Sequence, residues 1–174
     1  MWIATAITAW AFASGCSTTA TVKPHPASSS PTVQDPATAT NQAIITGYDG
    51  MWDDFTHDGL TANWQDAALA HHATGTALLH LNQSLFLINH LGEVARGTPA
   101  LNPRVTTLTP SATSPNEAEV TDCVDMTDYQ DYAASTGKLV NTGPSGKHRV
   151  IAKLVIKDAV WKVSELTING VSSC

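Results

Sequence analysis

The chain has 174 residues, 43% hydrophobic and only 14% charged, the size and balance of one globular domain joined to a further segment that is not globular. Fifteen acidic and nine basic residues give a formal charge of -6, which excludes a binder of the nucleic-acid backbone, because such affinity comes from clustered Lys and Arg releasing counterions. The densest basic group, Lys147, His148, Arg149 and Lys153, falls on a strand-like stretch and is expected to form a solvated strand face.

Residues 2–12, WIATAITAWAF, form an apolar run of the length of a secretory h-region, and small Ala13, Ser14 and Gly15 follow it. A spanning helix needs about 20 apolar residues, so this run is too short to cross a membrane. Residues 17–42 hold 18 Ser, Thr, Pro or Ala among 26 positions, with only Lys23 and Asp35 charged. Such a segment buries too little apolar surface to offset its ordering entropy and is expected to be a disordered tether. His25, between Pro24 and Pro26, is a linker residue on this reading.

From Ala43 the periodicity changes. Ile45, Tyr48, Trp52 and Phe55 recur at steps of three and four and predict a helix, although Gly47 and Gly50 oppose it. Thr61 is placed to cap a second helix carrying Trp64, Ala68 and Leu69. A third helix follows from Leu78, Leu81, Leu85 and Ile88, with Leu79 and Phe86 expected to widen its apolar stripe and Gly92 to stop it. Residues 104–109, RVTTLT, then predict a strand, and 111–116, SATSPN, a turn cluster. Strand alternation continues through 117–126, 148–157 and 160–168, with Lys157, Asp158 and Ala159 as a tight connection between the last two. Connections this short require antiparallel pairing. The expected class is α+β, with helices collected on one side of an antiparallel sheet of about four strands.

The sheet pattern carries one anomaly. Asp122 shares a face with Val120, Val124 and Met126, and His148 is in phase with Val150, Ala152, Leu154 and Ile156. An acid and a histidine on apolar faces suit a general acid/base pair in a concave pocket; equally, they suit strand ends that meet water, which is the expectation favoured here. His71, His72, His80 and His90 gather near the third helix without a zinc-binding spacing, and are expected to be exposed or hydrogen-bonded helix residues. The six acids from Glu117 to Asp131 lack a calcium-loop pattern and are expected to line a solvated sheet edge. Tyr129 and Tyr132 are expected at a pocket mouth or closing the core. No GxSxG, P-loop or dinucleotide fingerprint occurs, and Ser145 lies in a Gly/Pro turn, so no nucleophile, cofactor or metal is expected.

The apolar run, the small residues and Cys16 together resemble a bacterial lipoprotein signal peptide. The resemblance implies that residues 1–15 are removed and that Cys16 becomes the lipidated N-terminus of a tether extending to residue 42. The alternative is a secreted protein cut before an ordinary Cys. With Cys16 acylated, Cys123 and Cys174 are left as an even pair in an oxidising compartment, and a bridge between them closes a loop of about 50 residues. Two free thiols are the alternative.

The helices-then-sheet order resembles the NTF2-like superfamily, a cone-shaped α+β fold. The resemblance rests on Tyr48 and Trp52, on the 87–97 segment LINHLGEVARG, and on Trp161-Lys162-Val163. With the lipobox, the Thr/Pro-rich tether, Asp122-Cys123-Val124-Asp125, the Thr136-Gly137-Lys138 turn and terminal Cys174, the chain looks like actinobacterial lipoproteins of that superfamily. What this implies for residues 43–174 is a curved sheet whose concave face forms a pocket, with Asp122, His148, Tyr129 and Trp52 as candidate lining. Members use that space for catalysis, for small-ligand binding or as packed core. The expected function is non-catalytic binding of a small apolar ligand or an envelope protein, on the outer face of the cytoplasmic membrane. The alternatives are a pocket enzyme of the isomerase or dehydratase kind with Asp122 or His148 as base, and a sheet-mediated interaction module without an open pocket.

Overall fold

A computed structural model describes residues 36–109, 117–140 and 145–174. The apolar run, Cys16, the tether up to residue 35 and the 111–116 turn cluster lie outside the described residues. Three helices, α1 (Pro36–Gly59), α2 (Leu69–His72) and α3 (Gly75–His90), precede or flank six strands: β1 (Glu93–Arg96), β2 (Arg104–Thr109), β3 (Glu117–Asp125), β4 (Gln130–Ala133), β5 (Lys147–Lys157) and β6 (Val160–Val171). β2, β3, β5 and β6 form one antiparallel sheet in the order β2-β3-β5-β6, and β1 pairs antiparallel with β4 in a second sheet. The α+β class and the four-stranded antiparallel sheet are as the sequence implies.

α1 begins inside the segment expected to be tether. Proline is tolerated in a first helical turn, where its missing N–H has no partner to lose, and Ala37 and Ala39 are strong helix formers. The turns from residue 37 to 43 are mostly exposed, so they extend a helix whose stability comes from its packed part. There Ile44, Tyr48, Met51 and Trp52 are buried. The buried stripe is thus centred one position from the expected one: Ile44 takes the core and Ile45 is only half-buried. The two glycines that oppose a helix are explained by close approach. A Cβ at Gly47 would strike the Trp161 backbone carbonyl, and one at Gly50 would lie 2.7–2.8 Å from three atoms of the His72 ring. Alanine gains about 1 kcal/mol over glycine in helix propensity. Gly50→Ala should nevertheless lower the urea midpoint, because the His72 ring has to leave its seat.

The second expected helix is reduced to the single turn α2. Residues 60–68 form turns instead, since Asn63 and Asp66 offer the backbone local bonds that compete with a helix. Gln65 N–H donates to Asn63 Oδ1 at 3.3 Å and Ala68 N–H to Asp66 Oδ1 at 2.9 Å. α3 ends as expected, with Gly92 at φ +71° just past it. Its stripe is narrower than expected. Ala77, Leu81 and Leu85 are buried, but Leu79 and Phe86 are 52% and 50% exposed.

From Ala118 onward β3 alternates between buried and half-buried positions, and Ala118, Val120, Asp122 and Val124 face the helices with Val150, Ala152, Leu154, Trp161 and Val163. Bulges interrupt the ladders near Thr106, Arg149 and Ser164, and each bends its strand. The β5–β6 hairpin turns through Asp158 and Ala159, both at positive φ (54° and 63°), the pattern of a type I′ turn. β3 is not a solvated edge: it is paired on both sides, with β2 and β5, and of its acids Glu117, Glu119 and Asp125 share one face while Asp122 takes the other. The β1–β4 pair has no counterpart in the sequence reading.

Cys123 and Cys174 form a disulfide with Cα atoms 6.0 Å apart. The final residues fold back over β5 to reach β3. At the Arg149 bulge the unpaired backbone groups are taken up by this return: Arg149 N–H donates to Ser173 Oγ at 2.7 Å, and Asn169 Nδ2 donates to the Arg149 carbonyl at 3.1 Å. The bridge lies on the half-buried face of β3 with Glu119, Thr121 and Asp125, away from the Val120 and Val124 core.

Candidate functional site

The helix-facing side of the sheet holds three of the four candidate pocket residues in one connected set. Asp122, 3% exposed, accepts a hydrogen bond at Oδ2 from the Tyr48 hydroxyl (3.1 Å) and at Oδ1 from the Asn102 N–H (2.8 Å). Asn102 arrives there because the loop before β2 is pinned to the end of β3 by reciprocal bonds between Ala100 and Asp125. An aromatic ladder continues along α1: Tyr48 to Trp52 at 6.4 Å, Trp52 to Phe55 at 6.2 Å and Phe55 to Tyr129 at 6.1 Å between ring centroids. These rings occupy the space between α1 and the sheet.

Asp122 is therefore not at a wet strand end, the expectation favoured from sequence. It sits in the core because Tyr48, 74 residues away, supplies a buried partner. Burial pushes its carboxyl above the usual range, and the Asn102 N–H, the Tyr48 hydroxyl and the Cys123 N–H oppose that rise. Burial, reinforced by the neighbouring Asp122 charge, pushes the Tyr48 phenol up in turn, so its proton stays in place. The pair is a tie between helix, sheet and loop. Tyr48→Phe should leave one Asp122 oxygen without its donor and cost about 1–3 kcal/mol, measured as a drop in the urea-unfolding free energy.

His148 stands apart from this set. It is half-buried near the start of β5, opposite Val124, and its Nδ1 bonds the Asn169 carbonyl at 2.8 Å. Tyr129 lies at the far end of the ladder, its hydroxyl buried without a hydrogen-bond partner among the described residues and close to where a Gly59 Cβ would stand. Burial raises that phenol too, with Asp131 adding to the shift.

Two further features were not visible in the sequence, one buried and one half-buried. Asp58 is 1% exposed near the end of α1, and neither of its carboxylate oxygens has a hydrogen-bond partner among the described residues. Its carboxyl is raised by burial first, and then by Asp66. An acid held above its unfolded value binds its proton more tightly when folded, so its contribution falls as pH rises from about 3.9 toward the raised value. Asp58→Asn is expected to raise the urea midpoint at pH 7 and to leave it nearly unchanged at pH 4. The second feature is the His72–Asp54 pair, with Nδ1 and Oδ2 2.8 Å apart, which braces α2 against α1 over Gly50. His71, His80 and His90 are exposed, and no group of metal-binding side chains occurs among the described residues.

The outer side of α3 is unlike the rest of the surface. No Asp, Glu, Lys or Arg occurs from Ala67 to Gly92. Leu79, Phe86, Leu87 and Leu91 are 50–59% exposed there. Trp64 meets Phe86 edge to face at 5.4 Å, and His90 stacks on Phe86 at 6.0 Å. Two open grooves lie elsewhere, one across the outer sheet face at Thr107, Glu119 and Lys153, the other between α1 and the β5–β6 turn at Ala43, His72 and Trp161. Among the described residues no helix is long and apolar enough to cross a membrane.

No family model matches the chain, and no curated protein matches it. Among solved structures it is similar to the intermembrane space region of chloroplast protein ARC6, with a TM-score of 0.50 and 15% sequence identity, over 79% of this chain and 98% of that one. At that identity the likeness concerns the fold alone.

Proposed function

We propose that the chain is an extracytoplasmic lipoprotein, anchored through Cys16 to the outer face of the cytoplasmic membrane, whose NTF2-like domain binds a partner without catalysis. Support for export comes from the cysteines. A disulfide between Cys123 and Cys174 belongs to an oxidising compartment, and it leaves Cys16 as the odd thiol directly after a signal-like run. Support for the NTF2-like cone comes from helices packed on one face of a bulged antiparallel sheet.

The observation that carries the binding reading is the filling of the sheet's helix side. Tyr48 and Trp52 are buried there, Asp122 is hydrogen-bonded at both oxygens, and His148 is engaged with Asn169. A general base needs a lone pair facing a substrate; Asp122 is buried with both oxygens engaged by Tyr48 and Asn102, and His148, whose Nδ1 donates to the Asn169 carbonyl, stands apart from it near the start of β5. Recognition then falls to the surface, by an envelope protein or a small apolar molecule, with the uncharged face of α3 as the surface best suited to it.

Cell fractionation tests the anchor. Cys16→Ser should move the protein from the membrane fraction to the medium or leave it unprocessed, because the acyl chains supply about 0.8 kcal/mol per buried methylene. A variant that remains processed and equally membrane-bound would contradict the reading.

A further inference from the structure

We propose that the Cys123–Cys174 bridge is a thiol-exchange site, opened in the folded protein by a small thiol that attacks Cys174 and expels Cys123 beside Arg149. The inference goes beyond the binding reading and depends on neither the anchor nor the partner. Exchange is attack of a thiolate on one sulfur of the bridge, opposite the departing sulfur, so access decides which cysteine is taken. Residues 172–174 are exposed, and Cys174 is open to solvent. Cys123 is half-buried in β3, a strand paired on both sides, and attack on its sulfur is the more hindered. The segment that carries Cys174 is otherwise held by few bonds: Ser172 N–H donates to the Lys147 carbonyl at 2.8 Å, and Arg149 N–H donates to Ser173 Oγ at 2.7 Å.

Charge favours the same direction. Cys123 stands opposite Arg149 in the β3–β5 ladder, and side chains of such partners share a face with Cβ atoms about 4.5–5.5 Å apart. Arg149 makes no ion pair among the described residues. Lys147 lies two positions along on the same face, opposite Asp125. Asp125 is the nearest acid on that face, and its Oδ1 is already taken by the Thr127 N–H at 3.0 Å and the Thr127 hydroxyl at 2.6 Å. A guanidinium beside a departing sulfur stabilises the thiolate, and a less basic leaving thiol speeds exchange. The basic stretch at the start of β5 thus gains a chemical role. In the step itself the incoming thiolate bonds to Cys174 Sγ, the S–S bond breaks, and its electron pair leaves on Cys123. A second thiol then attacks the small-thiol sulfur of this mixed disulfide and releases the Cys174 thiolate. The bridge gains two electrons and two protons, and two thiols become one disulfide. The ladders of β3 stay paired, so the change is release of residues 172–174 from β5 and exposure of a reactive Cys123.

The experiment treats the purified full-length Cys16→Ser chain with 2-mercaptoethanol at about pH 8, where thiolate is available, quenches early with excess iodoacetamide and maps both cysteines by peptide mass. The expected product carries the mixed disulfide on Cys174 and the alkyl group on Cys123. Its rate should change less than about twofold in roughly 1 M urea, since no global unfolding is required. Arg149→Gln should slow the reaction roughly threefold and Arg149→Lys should restore it, with the melting of the oxidised protein unchanged. In the Cys16→Ser, Cys174→Ser chain, alkylation of the lone Cys123 should slow with Arg149→Gln by a similar factor, a readout of the thiolate that loss of a merely structural contact would not move. A mixed disulfide found first on Cys123 overturns the proposal. A rate that rises about fivefold or more in 1 M urea overturns it in favour of opening by unfolding, and an Arg149→Gln chain that exchanges and alkylates as fast as the parent removes the role given to the guanidinium.

Discussion

Replacing Cys123 and Cys174 together by Ser should lower the unfolding free energy by about 4 kcal/mol, read from urea titrations under non-reducing conditions. The bridge spans 51 positions, and in the chain-entropy model a loop of that length restricts the unfolded ensemble by about that amount. Further loss is local. Without the bridge, the tail that satisfies the Arg149 bulge through Ser173 is free to fray, and its bond is exchanged for water. Dithiothreitol should lower the stability of the parent protein by a similar amount and leave the double variant unaffected. A double variant as stable as the parent would mean that the tail is held by its β5 contacts alone.

Trp52→Ala should have an effect of comparable size, about 3–5 kcal/mol, because truncating a buried Trp combines lost transfer energy with a cavity. Trp52 is 2% exposed and joins Tyr48 to Phe55 edge to face on both sides. The collapse available to its neighbours is small: Tyr48 is fixed by Asp122, and Gly47 already brings α1 against the Trp161 backbone. Trp52→Phe should recover most of the loss. The check is the midpoint of cooperative urea unfolding. A cost below about 1 kcal/mol would show that the ladder repacks, and that the space between α1 and the sheet is not tightly filled.

The sheet was legible because period two leaves little freedom. Val120, Val124, Val150, Ala152 and Leu154 have to share a face once one of them is buried, and the Asp158–Ala159 turn fixes how β5 meets β6. The disulfide followed from parity and compartment, once the lipoprotein resemblance had set Cys16 aside. Other features depended on partners far away in sequence. Asp122 looked like an anomaly until Tyr48 arrived from α1, and Gly47 and Gly50 opposed a helix until Trp161 and His72 arrived to need them. The four-residue strands β1 and β4 alternate too briefly to announce themselves and exist only as each other's partner. In α3, composition indicated a wide apolar stripe, but only packing could decide that Leu79 and Phe86 lie outside it.

The most direct test of the central claim, a lipid-anchored domain that works by binding, is native mass spectrometry of the protein extracted from its own membrane. The predicted spectrum contains a chain beginning at Cys16 that carries a diacylglycerol-sized addition and retains a noncovalent companion, a second copy, another protein or a small molecule. A chain without lipid that arrives alone at every concentration would contradict it.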